Sequence, residues 1–411
     1  MRFYILGLGP IGSLLAYNLR AVLPRNHAIT LIHKSKKQVK VARAEGGAIS
    51  VEHKGVLRSQ KGFEAEVFEP RSNLGMVMLP VTGEVSSDDE TPTQEQKRGE
   101  PIEALFITTK AHATSVAIQR LLPRLSGSST IVLLQNGMGV YEDLIQKVFR
   151  NPDERPHFIL GSNTHGAWLK GFYNVVHAGV GEIDFGIAPD VRNRDYEATL
   201  SNESVPRENR ELQLDDITHP NDPSYERYRS LRHTVAVLRS LDALNVKWKP
   251  ISDVQVSMRR KVVVNSVINP LTAIMGCRNG ELFKDDASTR ILHHVCVEAA
   301  AAFEAQYKAD TQTWLDTLGV EVDKSQVPLG RFPPALGRKR LMEEVLRVAQ
   351  VTGGNISSML SDVRKGRQTE VEFMNGYLLG LGTQYNVPMP TTTVLLNLVK
   401  MRGAIPIDQM L

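Results

Sequence analysis

The run Phe3-Tyr4-Ile5-Leu6-Gly7-Leu8-Gly9-Pro10-Ile11-Gly12 constrains this chain more than any other. Its three glycines, at G-x-G-x-x-G spacing, stand between an apolar strand pattern and the helical pattern GSLLAYNLRAVL. In that setting each glycine has its own task. Gly7 permits a tight turn, Gly9 lets the backbone approach a pyrophosphate without an intervening side chain, and Gly12 lets the helix pack closely. The anion then lies where unpaired amides and the helix dipole favour negative charge. A ligand-free glycine turn is the alternative for an isolated match, but strand, helix and order all agree here with a dinucleotide site.

The second strand, Ile29-Thr30-Leu31-Ile32, bears on which dinucleotide is bound. NAD binders usually end this strand with an acid that accepts from the ribose hydroxyls. Here His33, Lys34, Ser35, Lys36 and Lys37 follow instead. A basic group suits an extra ribose phosphate, so NADP(H) is expected, with Lys34 nearest the strand end. A solvated basic turn is the other reading of any single lysine.

Short β-rich runs alternate with helical stretches through the first half: AITLIH, EALFITT, SVAIQRLLPRL, TIVLLQN. That alternation predicts an α/β fold, an N-terminal Rossmann-like doubly wound sheet. NVVHAGVGEIDFG reads as a pair of strands with glycine-containing turns, and SLRHTVAVLRSLDAL with VKWKPI as a last helix and strand. Two polar segments, 81–101 and 188–226, read as solvated, disordered insertions. From Ile251 the strand signals fade and helical periodicity takes over, in ILHHVCVEAAAAFEAQYKA, RLMEEVLRVAQ and TVLLNLVKM among others. The division expected is therefore 1–250 for a dinucleotide-binding domain and 251–411 for an all-α C-terminal domain. A chain of 411 residues is long enough for two such cores.

Within the helical half, Lys261, Asn265 and Asn269 recur every four residues in the apolar run KVVVNSVINP. That spacing aligns them whether the segment is helix or strand. A lysine in apolar surroundings is either a structural ion pair or, with its pKa lowered, a proton donor to a carbonyl oxygen. The amides in phase with it can hold hydroxyl or carboxylate groups. Downstream, Asn355, Ser357 and Ser358 precede one helix, and Gln368-Thr369-Glu370 opens the next. Here the plain reading is capping: Asn355 or a serine as one N-cap, Thr369 as another, Glu370 as a first-turn acid.

Net charge of +4, no apolar run long enough for a membrane span, and only two cysteines, Cys277 and Cys296, argue against a nucleic-acid partner, a membrane protein and a zinc or disulfide framework. A cytoplasmic location is expected.

Taken together, GLGPIGS, TTKAHAT, LLQNGMG, Asn163-Thr-His-Gly-Ala167, KVVVNSVINPLTAIMGCRNGEL, NISSMLSDVRKGRQTEVEFMNGYL and YNVPMPTTTVLLNLVK resemble the ketopantoate reductase (2-dehydropantoate 2-reductase) family, in family order along the whole chain. The two polar insertions are similar to those of fungal members. The resemblance implies NADPH-dependent reduction of ketopantoate to pantoate in pantothenate and coenzyme A biosynthesis, without a metal, in a cleft between the domains. It implies that Gly7, Leu8, Gly9, Pro10, Ile11 and Gly12 hold the pyrophosphate. Lys34 stands where the family's arginine meets the ribose phosphate; lysine keeps the charge and loses the bidentate fork, which leaves the strictness of NADP preference open. Lys110 and Asn136 are implied to line the cofactor site, Ala167 to approach the nicotinamide, and Asn136 to touch substrate as well. Lys261 matches the general acid. Asn265, Asn269, Asn279, Asn355 and Ser358 match substrate-binding positions, and Glu370 a position shared by cofactor and substrate. The alternatives are a reductase of another branched 2-oxo acid and a non-catalytic NADP-binding paralogue. The oligomeric state stays open, a homodimer among the outcomes.

Overall fold

The computed structural model describes residues 1–67, 100–318 and 330–405. The 81–101 segment lies outside these, apart from Glu100 and Pro101. Two compact units form, one of Met1–Gln135 with Tyr141–Val254 and one of Asn136–Val140 with Gln255–Leu411.

The strands of the first unit are β1 (Arg2–Leu6), β2 (Ala28–His33), β3 (Ile49–His53), β4 (Val56–Gln60), β5 (Glu64–Val67), β6 (Ala104–Ile107), β7 (Thr130–Leu133), β8 (His157–Asn163), β9 (Gly166–Gly171), β10 (Asn174–Gly179), β11 (Ile183–Ile187) and β12 (Val246–Trp248). Its helices are α1 (Pro10–Val22), α2 (Lys36–Ala44), α3 (Thr114–Leu121), α4 (Val140–Lys147), α5 (Leu214–Ile217) and α6 (Tyr225–Arg239). The main sheet has the order β12-β11-β8-β7-β6-β1-β2-β5. From β5 to β8 all neighbours are parallel; β11 runs antiparallel to β8. Continuous apolar runs such as YIL in β1 and ALFI in β6 suit strands covered on both faces. The chain steps from β1 to β2 on one side and returns to β6 on the other, so the order reverses beside β1. In open α/β sheets the usual ligand position is at such a reversal, which here falls at the carboxyl ends of β1 and β6.

A second sheet, β4-β3-β10-β9, packs beside α1. Here the strand pair expected in NVVHAGVGEIDFG resolves differently. β10 and β11 both form, but β10 pairs with β3 and β9, whereas β11 pairs with β8 and β12. The glycines between them carry the chain from one sheet to the other instead of closing a hairpin.

Segment 188–226 corrects a second expectation, because it is ordered. Tyr196 and Ile217 are buried in the main core. The Arg194 guanidinium stacks over the Tyr228 ring, donates to Asp222 at 2.7 Å and to the Ile217 carbonyl at 3.0 Å. Many of its polar residues still face solvent, and the buried anchors and bonds that order it leave no mark in the composition.

The second unit contains α7 (Ile251–Met275), which starts in the first unit and runs into the second, then α8 (Asp286–Thr317), α9 (Arg338–Val351), α10 (Ser358–Arg364), α11 (Asn375–Gln384) and α12 (Pro390–Ala404). Its described residues contain no strand, as the loss of strand signals predicts. Val262, Val263, Val267 and Ile268 of α7 pack with Leu292, Val295 and Ala299 of α8 in one core. Buried Glu298 of α8 accepts from the backbone amides of Thr391 and Thr392, at 2.8 and 2.9 Å, and from the Thr392 hydroxyl. A carboxylate at the start of α12 thus satisfies amides that no helix carbonyl can reach and complements the dipole.

Candidate active site

In the first unit the glycine turn follows β1. Gly7 has φ +106°, and a Cβ there would lie 2.4 Å from the Thr109 amide nitrogen. A Cβ on Gly12 would lie 1.9 Å from the Gly7 carbonyl oxygen and 2.5 Å from Thr108 Oγ1. These two glycines let turn, helix and the end of β6 meet backbone to backbone, and Thr108 Oγ1 donates to the Gly7 carbonyl at 2.6 Å. Gly9 differs: a Cβ on it would meet nothing within 4 Å. Gly9 is also the N-cap of α1, with Pro10 at the first helical position and no side-chain cap. An uncapped helix start facing open space suits a pyrophosphate.

Lys110 follows β6 and precedes the 3₁₀ turn Ala111–Ala113. Gln135, after β7, donates through Nε2 to the Thr109 carbonyl at 2.9 Å and to the Thr114 hydroxyl, tying the two strand ends together. Ala167 sits in β9 opposite His177 of β10.

The basic group after β2 divides in two. His33 is buried, its Nδ1 bonded to the Leu31 carbonyl and its Nε2 to the Tyr173 hydroxyl. Burial lowers its pKa, and with both ring nitrogens taken by protein partners it faces no ligand. This overturns its reading as part of a phosphate-binding cluster. Lys34 is exposed, and Ser35 is the N-cap of α2, accepting from Gln38.

The polar stripe of the second unit lies on α7, so the segment is helical. Lys261 Nζ donates to Asn136 Oδ1 at 3.0 Å. Burial lowers the Lys261 pKa to about 8, against an upward pull from the Glu370 carboxylate. Part of the side chain reaches solvent, but its ammonium is enclosed by protein. Asn136 is held here because Met138 N donates to the Phe373 carbonyl at 2.9 Å. Gly137, with φ +84°, leaves no room for a Cβ against that carbonyl, which explains the glycine in LLQNGMG. Asn269 is buried and donates to Met374 Sδ at 3.6 Å; Asn265 is half-buried one turn earlier. Farther along α7, the Thr272 and Ser357 hydroxyls are 2.7 Å apart.

The capping alternatives are also resolved. Ser357 is the N-cap of α10, accepting from the Leu360 amide at 3.0 Å, while Ser358 and Asn355 are exposed. The Asn355 carbonyl accepts from the Asn279 amide, and Asn279 Nδ2 donates to Thr352 Oγ1 at 2.8 Å. Helix α11 begins at Asn375, not near Gln368. Glu370 precedes the 3₁₀ turn Val371–Phe373 with its carboxylate buried and making no cap bond. Structure thus joins Lys261 with Asn136 and Glu370, and Asn279 with the Asn355 segment. Sequence reading passed over Thr108, Gln135, Thr272, Met374 and Asn375, whose polarity alone carries no signal of their partners. Among the described residues, no group of three His, Cys, Asp or Glu could hold a metal, and no helix is long and apolar enough to cross a membrane.

A doubly wound sheet with an anion-ready glycine turn, together with a helical unit presenting an enclosed ammonium, is the construction of a dinucleotide-dependent oxidoreductase. Residues 3–190 match the sequence model described as ketopantoate reductase PanE/ApbA, and residues 253–403 match that of its C-terminal part. The chain belongs to the ketopantoate reductase family. It is 25% identical over 400 residues to the probable 2-dehydropantoate 2-reductase of Schizosaccharomyces pombe, covering 97% of this chain and 95% of that protein. It is 27% identical to the ketoisovalerate reductase of Beauveria bassiana, covering 92% and 78%. Its fold is similar to that of D-mandelate dehydrogenase solved with NADH and anilino(oxo)acetate, with a TM-score of 0.64, 17% identity and coverage of 98% and 99%.

Proposed function

We propose that this enzyme reduces 2-dehydropantoate to pantoate with NADPH, Lys261 being the proton donor. The observation that carries this reading is the enclosed Lys261 ammonium, hydrogen-bonded to Asn136 and facing the buried charge of Glu370. With a pKa of about 8, Lys261 is mostly protonated at neutral pH, yet close enough to that pH to release its proton readily. It stabilises the negative charge developing on the keto oxygen and protonates it; solvent then restores the ammonium. Asn136 aims the ammonium through its side-chain oxygen, and Glu370 keeps the charged form populated. Asn265 and Asn269 hold the hydroxyl and carbonyl side of the substrate, and Asn279, Asn355 and Ser358 its carboxylate end.

The glycine turn Gly7–Gly12 holds the pyrophosphate, Lys34 the ribose phosphate, and Lys110, Asn136 and Ala167 border the nicotinamide. When bound, the nicotinamide supplies the hydride. Two free cysteines suit a reducing compartment such as the cytoplasm.

A second reading follows from the Beauveria bassiana relative: the substrate is 2-ketoisovalerate, which lacks the hydroxymethyl group of ketopantoate. Following NADPH absorbance with each oxo acid separates the two. Ketopantoate is expected to give the higher kcat/KM, and a higher value for ketoisovalerate would replace the first reading with the second. In the same assay Lys34→Ala should raise KM for NADPH about tenfold, the loss of one charge-assisted contact, and leave KM for NADH unchanged. Equal changes with both cofactors would remove Lys34 from the phosphate site.

A further inference from the structure

Pro270 lies inside the helix that carries the polar stripe. In a regular helix the amide of residue 270 would donate to the carbonyl of Ser266, but proline has no amide hydrogen and its ring crowds that same carbonyl. Ser266 is fully buried, so no solvent can take the missing donor's place. The donor comes from another helix: Asn375 Nδ2, at the start of α11, donates to the Ser266 carbonyl at 3.0 Å, and Asn375 is itself fully buried.

The residues just before Asn375 hold the rest of the constellation. Met374 Sδ accepts from Asn269, the Phe373 carbonyl accepts from Met138 two residues beyond Asn136, and the Glu370 carboxylate acts on Lys261. One short segment therefore meets α7 at its lysine, at its buried amide and at the carbonyl that Pro270 leaves without a helix donor. The turn from Ser266 to Pro270, which lacks its own hydrogen bond, lies between Asn265, one residue before Ser266, and Asn269, one residue before Pro270.

We infer that Asn375 is a positioning residue for the reductase reaction: it replaces the amide that Pro270 lacks and so holds the turn of α7 from Ser266 to Pro270, which sets Asn269 relative to Lys261 and Asn265. The positioning role rests on the function proposed above; the replacement of the amide does not. Misplacement of binding groups by about an ångström is enough to cost up to a hundredfold in rate.

The test is Asn375→Leu made alone and in a Pro270→Ala background. In Pro270→Ala the amide of residue 270 can reach the Ser266 carbonyl, which makes the asparagine redundant. Asn375→Leu alone should lower the denaturant midpoint and raise KM for the oxo acid by about tenfold or more, with KM for NADPH within about twofold of wild type. With Pro270→Ala present, the same substitution should lower the midpoint far less. Equal losses in the two backgrounds would overturn the inference. So would an unchanged KM for the oxo acid in a destabilised Asn375→Leu protein. If Asn375→Leu does not fold alone, the double variant must fold, and its failure counts against the proposal. Wild-type turnover in the same preparation separates the two failures: without it the functional reading falls and takes the positioning role with it, and with it the variants alone decide.

Discussion

Replacing Lys261 with alanine is expected to lower kcat for the 2-oxo acid by about 10²–10⁴, the range typical of a lost general acid, while NADPH still binds. Undiminished turnover would remove Lys261 from the mechanism. The pH profile gives an independent reading. The acid must be protonated, so wild-type kcat/KM should fall as pH rises through about 8. The Glu370 carboxylate raises the Lys261 pKa, so Glu370→Gln should move that limb to lower pH. Stability should respond in the opposite sense. In the unfolded chain the amine titrates near its ordinary 10.5, so between about 8 and 10.5 the unfolded state binds the extra proton and stability rises with pH. Below that window the enclosed ammonium costs the fold up to about 3 kcal/mol, so Lys261→Met should melt above wild type at pH 7 while being inactive. A lower melting temperature for that variant would mean that its partners stabilise the charge more than burial penalises it.

The parts of this design that were readable in the sequence are those set by local rules. A glycine turn between strand and helix has few uses, and four-residue spacing places Lys261, Asn265 and Asn269 on one face before any helix is seen. Pairing across the chain is another matter. β10 and β11 carry ordinary strand patterns, and nothing in VVHAG or EIDFG says that they join different sheets. His33 stands in a basic run but is claimed by Tyr173, which lies 140 residues away in sequence. The 188–226 segment is polar because much of it faces solvent, and a few buried anchors such as Tyr196 and Ile217 order it without changing that composition; Glu370 resembles a helix-start acid because its tie to Lys261 is tertiary. Asn375 was invisible for the same reason: Pro270 announces a missing amide, but which side chain replaces it depends on how α11 packs.

The three glycines of the turn after β1 allow folding and cofactor binding to be tested apart, because Gly7 and Gly12 face protein and Gly9 faces space. Gly12→Ala puts a methyl group on the Gly7 carbonyl and against Thr108 Oγ1, contacts that only a shift of backbone can relieve. It should destabilise the first unit by about 1–3 kcal/mol, the usual cost of overpacking, and weaken NADPH binding as the turn deforms. Gly9→Ala should leave the fold alone: its φ of −78° is ordinary for alanine, and the new methyl meets no protein atom within 4 Å. If that space belongs to the pyrophosphate, the methyl stands between the phosphate and the uncapped start of α1, and the Kd for NADPH should rise about tenfold or more at an unchanged melting temperature. Titrating NADPH fluorescence alongside thermal unfolding for both variants reads the two effects separately. Unaltered NADPH affinity in Gly9→Ala would mean that the dinucleotide does not lie across this turn, and the glycine spacing would then be explained by the close packing of Gly7 and Gly12 alone.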